Sequence, residues 1–158
     1  MSKGNKNPVP IKGETLKNKE SLYFPSVQGN DWKNIDKDIR WGLEDIINHV
    51  FPEKYQTRSN EYAGKLMRFV VENPEGVDKN MLGKFLEDND IPESTAYNVV
   101  IPKLVRFGLL EREREENESN PSRGWYMILK PSISYSSHLS KLASEWKSLY
   151  KTAVSEKE

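Results

Sequence analysis

Cysteine is absent from all 158 residues. That excludes disulfide staples, thiolate zinc sites and thiol nucleophiles. Histidine is almost as scarce. His49 and His138 stand far apart in the chain, with no second imidazole at metal-ligand spacing. No run of 18 apolar residues exists, so no transmembrane helix is expected. The first residues, Met1-Ser2-Lys3-Gly4-Asn5-Lys6, have no apolar stretch behind them and do not read as a signal peptide. The nine glycines are scattered, forming neither a phosphate-cradling loop nor a Gly-x-Ser-x-Gly elbow. An excess of one charge is missing too: 24 Lys and Arg balance 24 Asp and Glu. These absences predict a cytoplasmic protein without catalytic residues, metal or cofactor. With 35% hydrophobic and 30% charged residues, its core must be small. Asn117-Glu118-Ser119 matches a glycosylation sequon, but without secretion the match is chance.

What is present is concentrated between Ile91 and Arg114. Ser94 and Thr95 give a polar helix start, and Tyr97, Val100, Ile101, Leu104 and Phe107 follow at helical spacing. Gly108 ends that helix, because glycine tolerates the left-handed conformation of a helix C-cap. Leu109-Leu110 then opens an alternating, charged stretch that reads as a strand. Upstream, Ser59 or Asn60 is placed to cap a helix carrying Tyr62, Leu66, Phe69 and Val70 on one face. Asn73-Pro74-Glu75-Gly76 reads as a turn, and Asp78 as the cap of a second helix with Met81, Leu82, Phe85 and Leu86. Residues 87–90 are the short turn into the third helix, where Pro92 suits the first position. Downstream, the polar run 115–123 contains Asn120-Pro121, a loop signal, before Gly124 and a second strand at 125–129.

Three helices followed by a two-stranded hairpin, from about Arg58 to Lys130, resemble the winged helix-turn-helix superfamily of DNA-binding proteins. The expected fold is therefore mainly α with a small β-hairpin wing, a winged helix-turn-helix over 58–131 with additional N- and C-terminal helices. The resemblance extends to bacterial and archaeal regulators of the MarR and PadR kind, many of which dimerise through helices outside the winged unit. It implies a homodimer binding double-stranded DNA.

The flanks carry their own patterns. Residues 1–31 are rich in Lys, Asn, Gly and Pro without periodicity, and read as a flexible, mildly basic arm. Within 32–57 an amphipathic helix is expected from Ile35, Ile39, Leu43, Ile46, Ile47 and Val50, stopping near Phe51-Pro52. Within 132–158 a second helix carries Leu139, Leu142, Ala143, Trp146, Leu149, Tyr150 and Ala153 at 3–4 spacing, as in a packed helix pair. Such seams pack either on their own chain or between two chains. The resemblance favours a dimer interface containing Ile39, Leu43, Ile46, Leu139, Leu142, Trp146 and Leu149.

In this superfamily the third helix enters the major groove. On that reading Asn98 suits a bidentate contact to adenine, and Ser94 and Thr95 suit base or phosphate. Lys103 and Arg106 suit backbone phosphates. Arg112, Arg114 and Arg123 belong to the wing, with Arg123 placed for a minor groove. Two features oppose this. Pro102 lies inside the third helix and removes a backbone bond. The wing is also acidic, with five Glu against three Arg over residues 111–123. A winged-helix protein–protein adaptor that reads no DNA is the alternative.

Overall fold

A computed structural model of the chain describes residues 21–23, 40–116 and 125–156. It is mainly helical with one small antiparallel sheet. The elements run α1 (Leu43–Val50), α2 (Thr57–Glu72), β1 (Val77–Asp78), α3 (Lys79–Asp88), α4 (Glu93–Thr95), a π turn (Ala96–Val100), α5 (Ile101–Arg106), β2 (Leu110–Glu116), β3 (Trp125–Pro131) and α6 (Ser134–Glu156). The sheet has three strands in the order β1-β3-β2, where the sequence predicts a two-stranded hairpin. β1 is only two residues long and pairs Val77 with Leu129 and Asp78 with Ile128. A strand so short has no readable alternation.

The core forms where the apolar faces converge. Leu66 and Val70 of α2, Leu82 and Leu86 of α3, and Val100, Ile101 and Leu104 of the third helix are buried, together with Val77, Leu110 and Leu129 from the sheet. Phe69 stacks on Phe85 at 4.4 Å between ring centroids, tying α2 to α3. Asp78 caps α3 as expected, its carboxylate accepting from the Met81 N–H at 2.8 Å. The turn after α3 places Asp90 at φ 55, and the Ile91 N–H reaches back to the Leu86 carbonyl at 2.9 Å.

Three boundaries differ from expectation. α2 starts at Thr57 rather than behind a Ser59 or Asn60 cap. The reason is a turn at Pro52, whose carbonyl accepts from the Gln56 N–H at 2.7 Å and so feeds the chain directly into the helix. Asn60 instead donates its side-chain amide to the Phe51 carbonyl. The first helix is short. Arg40, Trp41 and Gly42 are not helical, and α1 runs only from Leu43 to Val50; Ile35 and Ile39 lie outside the described residues. This helix also shares the main core, since Ile47, Val50 and Phe51 are buried with the residues of α2 and α5. Pro92 sits at the N-cap rather than inside the first turn, and Ser94 and Thr95 occupy that turn without capping it.

Gly108 joins the two halves. It takes φ +82 after α5, and the Leu109 N–H closes back onto the Leu104 carbonyl at 2.9 Å. The Gly108 carbonyl accepts from the Tyr135 N–H at 3.0 Å, one of the first-turn donors of α6 that has no partner within its own helix. A Cβ on Gly108 would stand 2.7 Å from that same nitrogen.

Two substitutions test this architecture by chemical denaturation. Leu104 is fully buried, so Leu104→Ala is expected to cost ~2–5 kcal/mol, the range for a buried leucine truncated to alanine. Gly108→Ala is expected to cost more than the ~1–2 kcal/mol of a left-handed non-glycine backbone, because the new methyl also displaces α6. An unchanged midpoint in either variant refutes the packing described.

Candidate nucleic-acid interface

The third helix turns from α-helical to π-helical and back within fourteen residues. At the π turn the Ile101 N–H bonds to the Ala96 carbonyl, one residue further back than in an α-helix. Pro102 then sits in the first turn of α5. A proline inside a regular helix clashes with the carbonyl four residues earlier and donates nothing. The widened turn before it supplies the slack, so the helix continues where the sequence predicts a kink. π turns of this sort recur at functional sites.

The helix exposes Ser94 and Asn98, half-exposes Thr95 and exposes Arg106. These four lie where the sequence reading places them, on the side away from the core. Tyr97 packs against the core, and burial, with a smaller contribution from Glu93, raises its phenol above the usual range.

Lys103 does not join the outer face. It is 3% exposed, and its Nζ lies over the rings of Phe51 at 5.0 Å and Tyr23 at 5.6 Å. Spacing explains the error. Ala96, Val100, Lys103 and Phe107 recur at intervals of four, three and four, which is the inward stripe of the helix. Desolvation lowers the ammonium to about 8, while the aromatic faces offset part of that cost. Tyr23 is held in place by its N–H to the His49 carbonyl at 2.7 Å and by His49 Nδ1 at its own carbonyl at 2.9 Å.

Strand alternation sorts the charges of the wing. The register places Arg112 opposite Leu129 and Arg114 opposite Met127, on the face that holds Leu110. Glu111 and Glu113 point to the other face, where Lys130 pairs with Glu113 at 2.9 Å. That hydrogen bond lowers the Glu113 carboxyl below its ordinary range. The acidity that counts against the wing in a sum over residues is thus partly turned away from the arginines. Arg123 lies outside the described residues.

An open cleft of ≈ 790 Å³ runs between the end of α5, β2 and the first turns of α6. Arg106, Arg112 and Glu111 line it, with Tyr135, His138, Leu139 and Leu142 on the α6 side. Neither Tyr135 nor His138 stands out in the sequence as a site residue. Backbone bonds from Tyr135 to Gly108 and from Ser132 to Leu109 bring their helix beside α5. Burial raises the Tyr135 phenol above its usual range.

The expected dimer residues divide. Leu43 packs against the chain's own core and Ile46 is half-buried, because α1 packs on α2 within the chain. Ile39 lies outside the described residues. Leu139 is half-buried, whereas Leu142, Trp146 and Leu149 are 60%, 67% and 64% exposed.

Among the described residues no helix is long and apolar enough to cross a membrane, and no His, Asp or Glu cluster is placed to hold a metal ion. No family model, curated protein or solved structure matches the chain.

The burial of Lys103 has a measurable pH signature. Its pKa in the fold is below that of the unfolded chain, so between about pH 8 and 10.5 the unfolded state binds more protons. Stability at this site therefore rises with pH across that window. Lys103→Met is expected to raise the melting temperature at pH 7, with the advantage shrinking towards pH 10.5. A lower melting temperature for the variant at pH 7 contradicts the assignment.

Proposed function

We propose that the chain is a winged helix-turn-helix protein that binds double-stranded DNA in the cytoplasm as a homodimeric transcriptional regulator, without catalysis. The order α2, β1, α3, turn, third helix, β2, β3, with β1 joining the hairpin on the β3 side, supports that fold reading. The observation that carries the DNA reading is a cleft shared by two elements. The exposed side of the third helix carries Ser94, Asn98 and Arg106, and Arg106 shares a cleft with Arg112 of the wing. Arg114 lies two residues further along the same strand face.

In this arrangement the roles separate by chemistry. Asn98 is short, uncharged and forked, and suits the donor–acceptor pair on an adenine edge. Ser94 and Thr95, in the first turn, suit base or phosphate contacts. Arg106, Arg112 and Arg114 suit phosphates, which fix position without reading sequence. The adaptor reading is favoured by the balanced net charge, because a DNA-binding domain usually carries a basic excess.

Binding to duplex DNA, measured by fluorescence anisotropy across a salt series, tests the proposal. A site selected from random duplexes should bind the wild-type chain with an affinity that falls steeply with salt. Asn98→Ala should cost ~1–3 kcal/mol on that site and little on random duplex. Arg112→Ala should weaken both and flatten the salt slope. No binding at low salt, or no effect of either variant, favours the adaptor.

A further inference from the structure

α6 is 23 residues long, about 34 Å at an α-helical rise. Only its first turns touch the body. From Ser140 to Glu156 every residue is exposed, including Leu142 at 60%, Trp146 at 67%, Leu149 at 64%, Tyr150 at 58% and Val154 at 42%. These side chains and Ala153 form one stripe at 3–4 spacing. Their exposed area is roughly 600 Å², the upper end of what a single soluble domain leaves uncovered. Two such faces together bury roughly 1,200 Å², enough for a specific interface.

We infer that this stripe pairs antiparallel with the same stripe of a second copy of the chain, about a two-fold axis near residues 148–149. The pairing stands on α6 alone; its use in binding DNA rests on the reading above. Charge sets the direction. Lys141, Glu145, Thr152 and Glu156 follow one edge of the stripe, while Ala143 and Tyr150 follow the other. In an antiparallel pair each edge meets its own counterpart reversed. Lys141 then faces Glu156 of the second copy, and Glu145 faces Thr152. Within one chain Lys141 already pairs with Glu145; a parallel pair sets this edge against Ala143 and Tyr150 and adds no carboxylate, whereas the antiparallel pair adds Glu156 as a second one. Opposed helix dipoles favour the same direction.

The consequence is a spacing. Each body is fastened to its α6 at Tyr135 through the Gly108 carbonyl. With the axis near residue 148, the two fastening points stand about 40 Å apart at 1.5 Å per residue.

The absence of cysteine makes the direction directly testable in the full-length chain, without DNA. Sedimentation at micromolar concentration should give a dimer. Under mild oxidation Leu149→Cys, near the axis, should form a disulfide-linked dimer with itself. Leu142→Cys and Ala153→Cys should each stay largely uncrosslinked alone and link when mixed. Trp146→Glu should sediment as a monomer with an unchanged circular dichroism melt, because α6 beyond Ser140 does not contribute to the core. Self-linking at both Leu142→Cys and Ala153→Cys overturns the antiparallel arrangement, and a wild-type monomer overturns the pairing. A dimer with the expected cross-links that binds no duplex leaves this inference standing and refutes the DNA reading alone.

Discussion

One backbone junction organises the molecule. Gly108 adopts a left-handed conformation that ends α5 and starts the wing, and its carbonyl holds the first turn of α6. A residue with a Cβ would meet the Tyr135 nitrogen at 2.7 Å. Because this contact is made of backbone, the direction in which α6 leaves the body is tied to the end of the third helix. Whatever α6 binds is therefore positioned relative to Ser94, Asn98 and Arg106. The cleft containing Arg106, Arg112 and His138 lies beside this junction.

The third helix reconciles two conflicting demands. Its polar side must stay continuous while Pro102 forbids a regular hydrogen-bond ladder. The π turn at Ala96–Val100 absorbs the missing bond immediately before the proline. Asn98, the candidate base reader, stands within this turn. Backbone carbonyls there are spaced differently from those of an α-helix, so the side chain is presented from a non-standard helical geometry. On the inner side of the same helix, Lys103 is buried beneath Phe51 and Tyr23. A lysine in that position links the segment at residue 23 to the helix proposed to meet DNA.

Charge in this protein is arranged by geometry rather than by total. The sum over the chain is zero, yet β2 directs Arg112 and Arg114 to one face and Glu111 and Glu113 to the other. Lys130 then engages Glu113 on the side away from the arginines. Alternation thus turns Glu113 away from the arginines, while Glu111 lines the same cleft as Arg106 and Arg112. The same reasoning applies to α6, where one edge of the apolar stripe is charged and the other is not.

The sequence alone determined the elements whose signals are local. The periodic stripes of α2 and α3, the Asp78 cap, the Gly108 stop and the alternation of β2 all follow from neighbours within a few residues. So did the exposed positions Ser94, Asn98 and Arg106, because a helix face is fixed by spacing. The tertiary structure decided what depends on partners distant in sequence. β1 exists only because Leu129 and Ile128 pair with it. α1 buries Ile47 and Val50 against its own chain because α2 lies beside it, whereas α6 projects beyond the body and leaves Leu142, Trp146 and Leu149 uncovered. Both helices show amphipathic patterns, and no pattern states whether its complement lies in the same chain. Lys103 shows the boundary most clearly. The sequence reading places it on the outer face; the aromatic rings that make its burial tolerable come from residues 52 and 80 positions earlier, and only folding brings them over it.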